Sequence, residues 1–180
     1  MRNWRECDND ENENDKAKHK TWRNKMPILG INTTSKICEV SLKFDNQYKV
    51  LKAEKVNVHS DNLLPMIDEI LQNNKFVIKD IEGIVVNIGP GSFTGIRVGV
   101  VVARTIAQLL NIKIYPVSGL DVCMFKYLTN NPNNVQKIVV MMDALRDEFY
   151  TAIYDFRGRL LQDYQILKKA DICKIDIRFF

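Results

Sequence analysis

Apolar positions along this chain switch between a spacing of two and a spacing near 3.6, and Gly, Pro, Asn or Asp marks most of the switches. Alternation predicts strands over residues 28–33, 37–44 and 48–58, with a polar turn over 32–36 and a hairpin turn at Asp45-Asn46. Ser60, Asp61 and Asn62 then read as capping residues. Leu63, Leu64, Met66, Ile67, Ile70 and Leu71 follow at helical spacing, with Pro65 in or near the first turn. Asn73-Asn74 ends this helix, and residues 83–87 form a short apolar strand. A Gly/Pro loop over 89–91 opens a long helix reaching about Leu110. Residues 114–117 are a further strand, Ser118 caps a helix to about Tyr127, and 130–134 is a break. Strands over 137–142, 148–156 and 160–167 follow, the last two joined at Gly158. The order is β-β-β-α-β-α-β-α and then a new sheet, which is an α/β lobe with a mixed sheet followed by the opening of a second lobe.

The long helix carries the most unusual pattern. Gly95, Gly99, Ala103 and Ala107 fall every fourth residue and give one smooth face, while Ile96, Val100, Val102, Ile106, Leu109 and Leu110 occupy other sides. Gly costs roughly 1 kcal/mol relative to Ala inside a helix, so two of them imply that another backbone comes close. That backbone belongs either to this chain or to a partner. On the partner reading, Gly95, Gly99 and Ala103 join Leu63, Leu64 and Ile67 of the preceding helix in a shared helical interface.

Composition narrows the class. The chain has 180 residues, 46% apolar and 27% charged, which suffices for a packed core. No unbroken run of eighteen apolar residues is present, so no membrane span is expected. Residues 1–25 alternate acids with Asn and then turn basic, with Trp4 and Trp22 as isolated large apolar groups. This segment reads as a disordered extension, or as sequence upstream of a start at Met26. Cys7, Cys38, Cys123 and Cys173 are scattered without a C-x-x-C pair, which argues against a disulfide framework or zinc site and for a reducing, cytoplasmic compartment. The net charge of +4 is spread through the chain, with Lys168-Lys169 its one basic doublet, unlike the clustered stripe of a dedicated nucleic-acid binder.

Candidate chemistry centres on Asn87-Ile-Gly-Pro-Gly-Ser-Phe-Thr-Gly-Ile-Arg-Val-Gly99. Gly89 and Gly91 permit unusual backbone geometry around Pro90, and Ser92 or Thr94 can cap the helix behind them. Such a loop is a tight structural turn or an anion cradle; it lacks the Gly-Lys-Ser/Thr ending of a P-loop. Ser92 has no credible His–Asp relay, and no thiol has an obvious activating His. An Asp-x-Gly phosphate turn is missing, since Asn32-Thr33-Thr34 stands where one would be sought. Asp143 and Glu148 remain as candidate acids, the first more plausibly closing a turn.

Four segments carry a family resemblance: Ile28-Leu-Gly-Ile-Asn-Thr-Thr-Ser35, His59-Ser-Asp-Asn-Leu-Leu-Pro-Met-Ile67, Gly89-Pro-Gly-Ser-Phe-Thr-Gly-Ile-Arg97 and Asp143-Ala-Leu-Arg-Asp-Glu-Phe-Tyr150. In this order they resemble the TsaB family, also called YeaZ, over about residues 28–154. The resemblance implies an actin-like fold of two ribonuclease-H-like lobes: a first lobe over 26–131, and a second over 132–180 that is incomplete. It marks Gly89, Pro90, Gly91, Ser92, Thr94, Gly95 and Arg97 as the family loop. It further implies a partner subunit, without catalysis of its own, in forming N6-threonylcarbamoyladenosine at position 37 of tRNAs reading codons that begin with A. The implied partners are a TsaD-like catalytic subunit, a TsaE-like ATPase and, through the complex, tRNA, with a homodimer as another use of the interface. ATP and a divalent metal would then sit in partner subunits, and the M22 glycopeptidase label attached to such proteins would be a misnomer.

Three features depart from the family pattern. Asn32 replaces the usual Asp and cannot act as a base. Asp-Ala-Arg-Arg has become Asp143-Ala144-Leu145-Arg146, and the sequence stops at Phe180. The catalytic paralogue is known for two metal-binding histidines four apart on a helix; here His59 is followed at that spacing by Leu63, and His19 lies in the extension. The alternatives are a metal-dependent hydrolase or weak ATPase of the same fold, and a self-associating structural protein.

Overall fold

The computed structural model describes residues 26–53, 59–130 and 137–172. The expected extension over 1–25, the far end of the third expected strand (54–58), most of the break after Asn130 and residues 173–180 lie outside the described residues. Five strands form the first sheet: β1 (Ile28–Asn32), β2 (Glu39–Phe44), β3 (Gln47–Lys52), β4 (Gly83–Asn87) and β5 (Lys113–Val117), in spatial order β3-β2-β1-β4-β5. β2 runs antiparallel to β1 and β3, while β4 is parallel to both β1 and β5.

Register turns the period-two pattern into one apolar layer. Leu29 lies opposite both Leu42 and Ile84, and Ile31 opposite both Val40 and Val86; all six are buried. Helix α1 (His59–Asn73) covers this layer with Leu63, Met66, Ile67, Ile70 and Leu71, and α2 (Phe93–Leu110) lies beside it. Ser92 caps α2 by accepting from the Gly95 N–H at 3.2 Å, and Asn111 ends it in the left-handed conformation.

The second sheet is an antiparallel meander of β6 (Lys137–Leu145), β7 (Glu148–Asp155) and β8 (Leu160–Lys168). Helix α3 (Gly119–Asn130) buries Leu120 and Met124 against Ile138, Val140, Ala152 and Tyr154. An acid–phenol cluster, buried at Tyr154 and open at Tyr164, ties helix to sheet. Tyr154 donates to Asp121 Oδ1 at 2.6 Å, and Tyr164 Oη reaches both Asp121 carboxylate oxygens at 2.9 and 2.8 Å. Burial, then the Asp121 carboxylate, pushes the Tyr154 phenol well above its ordinary range.

Several boundaries differ from the sequence reading. α1 begins at His59, so Ser60, Asp61 and Asn62 are helical rather than capping, and Pro65 falls inside the helix instead of its first turn. α3 runs three residues past Tyr127, and β6 continues to Leu145 through an irregularity near Asp143. There Asp143 Oδ1 accepts from the Leu145 N–H at 2.8 Å, the turn-closing role expected of it. α2 is long and apolar enough to cross a membrane by length and composition alone, although Arg97 and Arg104 interrupt its apolar run. Its small-residue face is nevertheless buried inside the first lobe.

Candidate functional site

β1, β4 and β5 are parallel, so their carboxyl ends open on one side of the sheet, where open α/β folds place ligands. Asn32 ends β1, Asn87 ends β4, and the family loop follows at once. Asn32 Oδ1 accepts three bonds: from the Thr34 N–H at 3.3 Å, the Thr34 hydroxyl at 2.9 Å and Asn87 Nδ2 at 3.2 Å. Asn32 Nδ2 donates to Glu39 Oε2 at 3.0 Å, and Glu39 Oε1 pairs with Lys52 Nζ at 2.7 Å. That hydrogen bond and the Glu39 charge hold the Lys52 ammonium pKa above its ordinary value. Position 32 is therefore an amide bonded through both its oxygen and its nitrogen, and it joins β1, β2 and β4.

The loop is sewn to the same hub. Asn87 Oδ1 accepts from the Gly89 N–H at 3.0 Å, and the Ser92 N–H donates to the Thr34 carbonyl at 2.7 Å. A Cβ at Gly91 would collide with that Thr34 carbonyl, which is why glycine stands there. On the far side, the Gly89 carbonyl accepts from the Gly119 N–H at 2.7 Å and from the Ser118 hydroxyl at 3.4 Å. The loop thus clips the start of α3, and with it the second sheet, onto the first. The N–H groups of Gly89, Ser92, Gly95 and Ile96 are engaged within the chain, which makes the loop a structural turn. Among the described residues the N–H groups of Gly91, Phe93 and Thr94 are not engaged, so the anion-cradle reading stays open beside it.

The small-residue face of α2 is not presented to a partner. Gly95, Gly99 and Ala103 are buried, and a Cβ on Gly99 would meet Thr33 Oγ1 and come within 3.4 Å of Ile31 Cγ2. Thr33, itself buried, donates its hydroxyl to the Gly95 carbonyl at 2.7 Å. What comes close to the α2 backbone is this chain's own side chains, Ile31 of β1 and Thr33 just beyond it, rather than a second backbone. Leu63 and Ile67 are likewise core residues of the first lobe, so five of the six expected interface positions face inward. The sixth, Leu64, is 56% exposed. The outer side of α2 carries Phe93, Arg97, Val101, Arg104 and Leu109, all exposed, with Arg97 lying 5.3 Å over the Phe93 ring.

Of the loop residues, Gly89 is buried, Pro90 half-buried, and Gly91, Ser92, Thr94 and Arg97 exposed. Ser92 Oγ is occupied as the helix cap. Burial, then Glu39, raises the Cys38 thiol pKa, which makes it a poor nucleophile. Among the described residues no group of three His, Cys, Asp or Glu could hold a metal. The sequence reading missed Glu39, and it had Asn87 only as the start of the loop segment and Ser118 only as a helix cap, not as the residues that hold the loop. The sequence spacing of Asn32 and Glu39 does not announce a contact; they meet because the β1–β2 register places them opposite each other.

Fold and loop together define an α/β chain of the actin-like, ribonuclease-H-like class. The family model described as TsaD: tRNA N6-adenosine threonylcarbamoyltransferase matches residues 53–176, and the chain belongs to that family in its TsaB/YeaZ form. It is 31% identical over 140 residues to the tRNA threonylcarbamoyladenosine biosynthesis protein TsaB of Bacillus subtilis, covering 76% of this chain and 58% of that one. The protein of the same name from Escherichia coli is 30% identical over 129 residues, covering 72% and 55%. YeaZ from Pseudomonas aeruginosa superposes with a TM-score of 0.71 at 24% identity, over 79% of this chain and 67% of that structure, and shows the shared fold. The chain spans little more than half the length of these curated relatives.

Proposed function

We propose that this chain is a non-catalytic partner subunit in the biosynthesis of N6-threonylcarbamoyladenosine, acting at position 37 of tRNAs that read codons beginning with A. The family match over residues 53–176, together with relatives named for this pathway, supports the pathway. One structural observation carries the non-catalytic reading: Asn32, where a carboxylate would stand, is an amide bonded at both ends, its oxygen to Thr34 and Asn87 and its nitrogen to Glu39. An amide with both ends bonded neither accepts a proton nor ligates a metal-bound phosphate.

On this reading a TsaD-like subunit supplies the catalytic site with ATP and a divalent metal, a TsaE-like ATPase joins it, and tRNA is reached through the complex. The setting is the cytoplasm, and the lobes divide near residue 131. The partner surface moves to the outward side of α2 and α1, where Phe93, Val101, Leu109 and Leu64 stand exposed among Arg97 and Arg104. The test is reconstitution with a TsaD-like subunit, a TsaE-like ATPase, tRNA, ATP, threonine, bicarbonate and magnesium, with threonylcarbamoyl-AMP synthase activity supplied. Modified adenosine should form only when this chain and the TsaD-like subunit are both present. Product formed by this chain without the TsaD-like subunit would contradict the proposal.

A further inference from the structure

Edge strands of soluble sheets are ordinarily blunted by a charge, a proline or a bulge, because their unpaired N–H and C=O groups invite another strand. The described strands leave four edges, β3 and β5 on the first sheet and β6 and β8 on the second. β3 carries Lys49 in mid-strand, β5 carries Pro116, and β8 carries Gln162 and Asp163. β6 has none of these between its ends. Its residues 138–142 read Ile-Val-Val-Met-Met, and its pairing with β7 stays regular from Lys137 to Asp143. Among the described residues no strand is bonded to its outer side. A groove of about 390 Å³ runs there, lined by residues 137–141 together with Cys123 and Tyr127 of α3. Successive strand residues point to opposite faces, so five in a row along one groove mean that it follows the backbone edge.

We propose that this edge pairs with β6 of a second copy of the chain, antiparallel and centred on Val140, so that the two second sheets become one. Charge complementarity selects this occupant. In that register Lys137 lies opposite the partner's Asp143 and Asp143 opposite the partner's Lys137, and both residues are exposed in the single chain. Opposite charges in directly facing positions are favourable. The ends of β6 are thus self-complementary, as a two-fold contact requires, and such a contact closes at two copies. A slip of two residues in either direction breaks both pairs, since Lys137 would then face Met141 or Leu145. The apolar positions agree. Ile138 comes opposite Met142 and Val140 opposite its own copy on the α3 face, so the layer beneath α3 continues across the seam. On the other face Val139 comes opposite Met141, which is 44% exposed in the single chain. The inference uses no residue of the partner surface proposed on α1 and α2, and it does not depend on the functional reading.

Sedimentation equilibrium of the full chain tests this. The unaltered chain should pass from monomer to dimer as its concentration rises. Lys137→Glu or Asp143→Lys alone sets like charges opposite each other at both ends of the seam, and each should weaken the dimer about tenfold or more. An equimolar mixture of these two variants should recover it, because every end pair in the mixed dimer is again of opposite charge. Val139→Lys puts a charge in mid-edge without touching either end and should leave a monomer. Native circular dichroism in each variant would confirm an intact fold. Lys137→Glu and Val139→Lys leave the turn at Asp143 in place, so they carry the test even where Asp143→Lys fails to fold. A chain that stays monomeric at every concentration would overturn the proposal. So would a dimer indifferent to Lys137→Glu and Val139→Lys, which would assign association to another face, or folded charge variants whose mixture stays monomeric.

Discussion

β1-β2-β3 and β6-β7-β8 are the same motif, a three-stranded antiparallel meander, set in different surroundings. In the first, β4 continues the sheet beside β1 and two helices seal one face, so Leu29, Val40, Leu42 and Ile84 are wholly buried. In the second, the described residues give one main helix against the sheet and an open edge at β6, and Ile138 and Val140 keep a little exposure. A meander alone does not make a core; the parallel strand beside it and the helices above it do. The first sheet should therefore carry most of the stability and the second should yield first.

The largest expected effect comes from Gly99→Leu. Its side chain would be driven into Thr33 and Ile31, where the α2 backbone rests on β1. Overpacking typically costs 1–3 kcal/mol and more where backbone must shift, so about 3 kcal/mol or greater is expected. Denaturant unfolding should show the first lobe lost; a native midpoint would mean that the helix can lift off the sheet at little cost.

Truncations sharpen the comparison directly. Leu42→Ala should cost about 3–4 kcal/mol and Ile138→Ala about 2, because only the first leaves a sealed cavity. Equal losses would show that the second sheet is as well enclosed as the first.

Tyr154→Phe removes one of the two phenols on Asp121 and should cost about 1–1.5 kcal/mol at neutral pH. It also has a pH signature. The phenol pKa is raised in the folded state, so its contribution is complete below the unfolded value near pH 10. Above that pH the unfolded chain releases the proton and the folded chain holds it, so stability falls as pH rises. The variant should lose part of this alkaline slope; an unchanged slope would show that Tyr154 ionises freely in the fold.

Helices and strands were legible in the sequence because alternation and the 3.6 spacing survive in nearly every element. The direction in which α2 faces was not. A helix apolar over most of its circumference does not announce which side meets the sheet, and its bulkiest exposed groups, Phe93 and Leu109, point outward. The glycines did signal a close neighbour, but it is the Thr33 and Ile31 side chains rather than a second backbone, and these and a partner helix leave the same mark in sequence. The loop was legible as a motif, while its role as a clip between sheets was not, since Asn87, Ser118 and Gly119 meet it only through the parallel register. Asn32 stood out as a departure, and its compensating partner Glu39 emerged only once β1 and β2 were paired.

Asn32→Asp is the smallest of the stability effects. The new carboxylate would keep its donors from Thr34 and Asn87 but face Glu39 without a bridging hydrogen, for a net cost of about 1 kcal/mol at neutral pH. Repulsion between two acids raises their folded pKa values, so the cost should shrink as pH falls through the carboxylate range. Adding Glu39→Gln should recover most of it in a double-mutant cycle. An Asn32→Asp chain as stable as the original would show that the hub tolerates charge and would weaken the non-catalytic reading.

Co-purification with a TsaD-like subunit, comparing the unaltered chain with Val101→Asp, tests the central claim most directly. Val101 is 62% exposed on the outer side of α2, so the substitution should leave the melting temperature nearly unchanged. A charge buried in the partner contact without a mate should cost at least about 2 kcal/mol of binding, more than a tenfold loss of affinity. Retention of the unaltered chain and loss of the variant is the predicted result. Equal retention of both would move the contact off α2, and a failure of the unaltered chain to bind would contradict the partner-subunit account itself.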